Sequence, residues 1–210
     1  MNLIDLKKNP ELIPLIEWWE KDGKQTVVCV LVAVAAVAGW YGWKHHRAAE
    51  RTAASTAIAE STAPADLEEA VAKFSNTAAA PALELKLAKS YYDDGRYEEA
   101  LQRYEEISAK VPAEFADIPV VGKAMCLEAL KKFSDAQQAF DAFVEANPSS
   151  YLALTAKLAA ARCLAESGDS AKALERIETL KKECEGDEAS KSRVEAAENA
   201  IKRLAKAPKE

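Results

Sequence analysis

The chain has 210 residues, of which 34 are acidic and 28 basic, giving a net charge of −6. That balance excludes a broad nucleic-acid footprint, because phosphate binding needs a surplus of Lys and Arg. Ala, Leu, Glu and Lys dominate after Trp43, and β-branched or aromatic runs are scarce, so the composition predicts an all-α protein.

Residues 1–24 form the first segment. From about Pro10, Leu12, Ile13, Leu15, Ile16 and Trp19 recur at helical spacing, which predicts an amphipathic helix lying along a membrane surface. Residues 25–43, Gln25 to Trp43, contain no charge and are bracketed by Lys24 and Lys44. As a helix they reach roughly 28 Å, close to the hydrocarbon thickness of a bilayer, which predicts one transmembrane helix. Trp40, Tyr41 and Trp43 mark one edge, and Trp18 and Trp19 precede the other, where indole rings suit the headgroup zone. A cleavable signal peptide is the rival reading, since Ala36-Val37-Ala38 before Gly39 has the small-x-small form of a cleavage site. Five acids and two prolines ahead of the segment are unusual for such a leader, and a retained anchor is the preferred reading. Lys7, Lys8, Lys21 and Lys24 on one flank face Lys44, Arg47 and Arg51 on the other, so basic charge does not fix the orientation.

Internal repetition organises the rest. Ala88, Tyr97, Ala100, Tyr104, Ile107 and Pro112 each return 36 residues later as Ala124, Phe133, Ala136, Phe140, Phe143 and Pro148. A third copy, a further 37 residues on, supplies Ala161, Gly168, Ala173, Ile177 and Leu180. This order of small and large residues resembles the tetratricopeptide repeat (TPR) family, whose helix–turn–helix unit is about 34 residues long. The small residues permit a close helix crossing, the large ones fill the space around it, and Gly95 and Gly168 suit turns needing positive φ. Pro112 and Pro148 are expected to end second helices. Residues 44–81 predict a helical linker and a degenerate copy, with Leu67, Ala70 and Phe74 mirroring Tyr97, Ala100 and Tyr104, and with Pro81 in the part of Pro112. Residues 82–186 hold the three repeats, and 187–210 a capping helix with Val194, Ala197, Ile201 and Leu204 on its apolar side, followed by a tail.

No enzyme is expected. His45 and His46 are adjacent and diverge on a helix, making a poor metal pair. Cys126 and Cys163 occupy the same inner position of successive repeats and predict small core residues, while Cys29 faces lipid or another helix and Cys184 lies near a loop. Glu98-Glu99 and Glu105-Glu106 sit beside Lys and Arg as solvated ion pairs, and no phosphate loop or nucleophile motif occurs. No catalytic, metal, cofactor or small-molecule site is therefore assigned.

In TPR proteins the first helices of successive units line a groove. Carrying that pattern over gives Lys89, Tyr92 and Asp93, then Val121, Met125 and Glu128, then Leu158, Arg162 and Glu166 as partner-binding positions, suited to a peptide. The rival is that this face packs against the N-terminal helices or the cap. Leu85 and Lys89 stand where a chaperone-type carboxylate clamp has Lys and Asn, so that clamp is not expected.

Glu20-Lys21-Asp22-Gly23-Lys24, one span ending in Gly39-Trp40-Tyr41-Gly42-Trp43, and a following TPR-like domain together resemble the bacterial ancillary SecYEG translocon subunit family. That resemblance implies an inner-membrane protein with a cytoplasmic N-terminus and periplasmic repeats, associated with the SecYEG translocon and with periplasmic chaperones. The other readings are a scaffold subunit of a secretion or pilus assembly and a cleaved, soluble periplasmic TPR protein.

Overall fold

The structure is a computed structural model that describes residues 23–206 together with Pro14, Trp18 and Lys21. The amphipathic helix expected over Leu12, Ile13, Leu15, Ile16 and Trp19 lies outside the described residues. Among those described there are nine α-helices, one short 3-10 turn and no strand. The chain divides into two compact units, residues 1–53 and 54–210.

In the first unit, α1 (Lys24–Glu60) carries the apolar segment, and its last seven residues belong to the second unit. It is long and apolar enough to cross a membrane, and every residue from Lys24 to Ala49 is exposed. Leu31 is 62% exposed, and among the described residues nothing covers this apolar surface.

The second unit contains α2 (Pro64–Phe74), α3 (Ala80–Asp93), α4 (Tyr97–Ile107), a 3-10 turn (Ala113–Phe115), α5 (Asp117–Ala129), α6 (Phe133–Ala146), α7 (Ala153–Glu166), α8 (Ser170–Glu183) and α9 (Glu188–Lys206). Helices α3/α4, α5/α6 and α7/α8 form three hairpins closed by the same turn. The amide of Arg96 bonds the carbonyl of Tyr91, that of Lys132 bonds Leu127, and that of Asp169 bonds Leu164, at 2.9, 2.9 and 3.0 Å. One residue earlier, Gly95, Lys131 and Gly168 bond Tyr92, Glu128 and Ala165. This double bond pattern is the Schellman motif, and it places φ at +79°, +60° and +96° at the three equivalent positions. The third hairpin lacks the aromatic of Tyr97 and Phe133. Instead Asp169 caps α8, its Oδ1 accepting from the amide of Lys172 at 3.2 Å.

Behind each turn the helices meet at alanine. Ala88 and Ala100, Ala124 and Ala136, and Ala161 and Ala173 are all fully buried or within 1% of it. Tyr104, Phe140 and Ile177 fill the next layer. Two prolines act differently from expectation. α4 stops at Ile107, five residues before Pro112, which instead leads into the 3-10 turn. Pro81 does not close α2, which ends at Phe74. It lies in the first turn of α3, where its missing N–H costs no hydrogen bond.

The core is three clusters in series. The first joins Ala54, Leu67 and Phe74 to Leu83, Leu87, Tyr91, Tyr104 and Cys126. It is reinforced by the Tyr91 hydroxyl donating to Glu68 Oε1 at 2.6 Å, Ser90 Oγ donating to the Thr62 carbonyl at 3.0 Å, and the Lys86 ammonium donating to the Ile58 carbonyl. The second packs α5, α6 and one side of α7, and the third packs the other side of α7 with α8 and α9. Helix α7 serves both, which explains its alanine-rich sequence with nine buried residues. On α9, Val194 and Ile201 are buried and Ala197 and Leu204 partly so. Beside them Glu198, only 8% exposed, accepts from Lys181 of α8 and from Lys202.

The turns and the cap can each be tested. Nothing lies within 4 Å of a Cβ placed on Gly95, so Gly95→Ala is penalised by its positive φ alone, and a loss of about 1–2 kcal/mol is expected in urea unfolding. Lys131→Gly relieves the same strain while loosening the unfolded chain, and its stability is expected within about 1 kcal/mol of the parent. The two lysines hold the Glu198 carboxyl below its ordinary range, Lys181 contributing most. Its contribution is thus complete above about pH 4.3, the unfolded value, and is lost as pH falls through the lowered folded value. Thermal unfolding of Glu198→Gln is expected to fall below the parent at pH 7, with the gap closing as the pH is taken toward 3.

Candidate functional site

Five of the nine positions expected to line the groove meet across three helices. Lys89, Tyr92 and Asp93 come from the exposed side of α3, Glu128 from α5 and Arg162 from α7. The Arg162 guanidinium grips Glu128 through both nitrogens, Nη2 to Oε2 at 2.7 Å, tying the first helices of two repeats together. On the second helices, Arg176 of α8 holds Asp141 of α6 the same way, at 2.7 and 3.0 Å. Lys89 pairs with Asp93 one turn along α3, and its ammonium lies 5.8 Å from the Tyr92 ring. The Tyr92 ring meets Tyr97 edge-on, with centroids 5.3 Å apart. Burial raises the Tyr92 hydroxyl pKa, and the nearby Glu128 carboxylate adds to it. Glu128 in turn raises that of Arg162.

Three positions differ in setting. Val121 is 3% exposed and forms wall more than surface. Leu158 is not a groove residue, because α9 packs over α7 and encloses it with Ile177, Val194 and Ile201. Glu166, at the end of α7, is exposed and joins none of the contacts above. Met125 instead lines a feature that sequence reasoning missed: a solvent-open, apolar pocket of about 230 Å³. Lys89 and Tyr92 form one wall, Val121 and Met125 another, and Tyr104 the floor. Ile118, Gly122, Tyr151 and Leu152 complete it. Gly122 makes room for the floor, since a Cβ there would lie 2.6 Å from the Tyr104 ring. Tyr151, 70% exposed, stands at the pocket from the loop before α7. That loop is pinned by Ser150, whose hydroxyl donates to Asp117 and accepts from the Leu152 amide. A solvent-facing tyrosine after Asn147-Pro148-Ser149-Ser150 was the available signal.

Burial pushes the thiols of Cys126 and Cys163 up to about 12, so both stay protonated near neutrality and are poor nucleophiles. All four cysteines are free, Cys184 lying half-buried in the third cluster and Cys29 exposed. No metal-binding cluster occurs among the described residues. His46 contacts Glu50 at 3.3 Å. On α1, Trp40, Tyr41 and Trp43 are exposed, as is Trp18. Trp19 lies outside the described residues.

Comparison with known proteins agrees with the repeat fold. A family model described as a tetratricopeptide repeat-like domain matches residues 17–111, taking in the apolar helix, and a tetratricopeptide repeat model matches residues 91–158. A point variant of a Podosopora anserina kinesin light chain protein with nearly identical TPR-like repeats superposes with a TM-score of 0.57 at 16% identity, covering 77% of this chain and 85% of its own. The unsubstituted form of that protein gives a TM-score of 0.56 at the same identity and coverage. The Yersinia enterocolitica type III secretion translocator chaperone SycD gives 0.50 at 18% identity, covering 62% of this chain and 98% of its own. A search of curated proteins found no match.

The pocket floor is sensitive to a single methyl group. Gly122→Ala is expected to cost about 1–3 kcal/mol in urea unfolding, because the Tyr104 ring must move. In Gly122→Ala with Tyr104→Leu, the two effects are expected to be less than additive, since the smaller side chain removes the clash.

Proposed function

We propose, from the premise that this chain carries tetratricopeptide-like repeat domains and is a protein-interaction module, that the pocket lined by α3, α4, α5 and the loop before α7 anchors a bulky apolar side chain of a partner polypeptide. The observation that carries this reading is the pocket itself, open, apolar and walled by Met125, Tyr92 and Tyr151. Methionine and tyrosine give adaptable and rigid contact area respectively, a combination suited to varied sequences. The polar groups around it are already paired within the chain, as in Glu128–Arg162 and Lys89–Asp93, so they shape the rim without demanding a particular charge on the partner.

We further propose that α1 anchors the repeats to the bacterial inner membrane, with the N-terminus cytoplasmic and the repeats periplasmic, where they assist exported chains leaving the SecYEG translocon together with periplasmic chaperones. The exposed apolar face of α1 supports the anchor. The likeness of residues 17–43 to the ancillary translocon subunits supports the partner, and the fold shared with a secretion chaperone is compatible with it. A scaffold role in an envelope assembly is the competing outcome of the test.

Photo-crosslinkers placed at Tyr151 in intact membranes are expected to capture many newly exported proteins. Capture of a single stoichiometric subunit sinks the export reading. Met125→Ala with Tyr151→Ala is expected to weaken captured-peptide binding by about 10- to 100-fold, as loss of an apolar anchor implies, with the fold unchanged by circular dichroism. Sequencing the mature N-terminus checks the anchor: a chain beginning at Gly39 has none.

A further inference from the structure

Just past the apolar segment, α1 has two unlike sides. Trp40, Trp43, Lys44, Arg47 and Arg51 fall within an arc of about 100° when placed on a helix. Tyr41, His45 and His46 lie outside it, where Tyr41 and His45 pair with ring centroids 5.2 Å apart. Between Gly23 and Ala49 there is no acid, and Glu50, at the edge of the arc, is engaged by His46 at 3.3 Å.

Two of the cations on the arc fold back onto its tryptophans. The Lys44 ammonium lies 5.3 Å from the Trp40 ring and the Arg47 guanidinium 4.5 Å from the Trp43 ring. Each leans back one turn, toward the apolar segment, as long helical side chains do. Trp40 and Trp43 remain 57% and 55% exposed, so one face of each pair is open. Trp40 to Arg47 spans about 10 Å along the helix, comparable to the headgroup zone of one leaflet. A tryptophan seated at that level holds its cation at the depth of lipid phosphates.

We propose that this arc binds the phosphate groups of anionic phospholipids in the leaflet at the C-terminal edge of the apolar segment. Arg47 supplies a planar pair of donors for a phosphodiester, Lys44 and Arg51 add point charge, and the two indoles fix the depth. The site rests on the membrane-anchor reading. It selects lipid by charge and leaves the Tyr41 and His45 side free for neutral lipid or another helix.

The full chain, reconstituted into vesicles of phosphatidylcholine alone or mixed with phosphatidylglycerol, tests both layers separately. Flotation reports anchoring, and native mass spectrometry after detergent extraction reports which lipid stays bound. The parent is expected to float with both vesicles and to retain phosphatidylglycerol over phosphatidylcholine by at least about fivefold. Lys44→Gln with Arg47→Gln and Arg51→Gln is expected to float equally and to lose that preference, whereas His45→Gln keeps it. A parent that floats without preference overturns the site and spares the anchor, and so does a triple variant with unchanged preference. Full displacement by inorganic phosphate means a small-anion site and overturns the lipid assignment. A parent that does not float overturns the anchor and the site together.

Discussion

Everything in the second unit depends on how closely two antiparallel helices can approach. At the Ala88–Ala100, Ala124–Ala136 and Ala161–Ala173 levels the absence of a long side chain on both partners brings the backbones together, and the turns joining them must reverse direction within three residues. The Schellman bonds accomplish this by placing one residue at positive φ, and the cost is small at Gly95 and Gly168. Once the hairpin angle is set, the large side chains at Tyr104, Phe140 and Ile177 have only one layer to fill. Stacking the hairpins then rests on the apolar clusters shared between neighbours, and the second and third are also joined by matched ion pairs, Glu128–Arg162 on the first helices and Asp141–Arg176 on the second.

The same stacking decides which surface is available. At the C-terminal end α9 covers the side of α7 that would otherwise face a next repeat, doing so with Val194 and Ile201, while Glu198 ties it to Lys181 of α8. Leu158 thereby leaves the surface for the core. Further toward the N-terminus, Gly122 lets the Tyr104 ring come up against α5, and the space above the ring stays unfilled. The pocket and the packing against α5 thus share one aromatic side chain.

The repeat was legible in the sequence because its spacing is set by backbone geometry: alanines and positive-φ turns return at steps of 36 and 37 residues, and aromatics at the first of these. Lys131 shows the limit of residue type, since a lysine adopts the conformation that glycine occupies in its neighbours. Pro81 and Pro112 were harder, because proline is compatible with the start of a helix as well as with the region beyond its end, and only the hydrogen-bond ladder decides between them. The site was half legible. Lys89, Tyr92, Asp93, Glu128 and Arg162 follow from the helical register, whereas at Leu158 the rival holds and the cap packs over the face. Tyr151 and Gly122 were missed because a loop tyrosine and a helical glycine acquire meaning only from what stands opposite them.

The division of the core into three clusters gives this domain a mechanical character unlike that of a globule. No cluster extends from one end to the other, and the first helices of the repeats act as the couplings. Cys126 commits α5 to the first cluster while Val121 and Ala124 commit it to the second, and α7 joins the second to the third. Cohesion passes from neighbour to neighbour, as in a short one-dimensional chain of coupled links. Disturbance at α9 therefore reaches α7 directly and α3 only through the junctions between. The domain can fray from its far end while its N-terminal hairpin stays folded, so the pocket sits on the part of the solenoid that is flanked by packed neighbours on both sides.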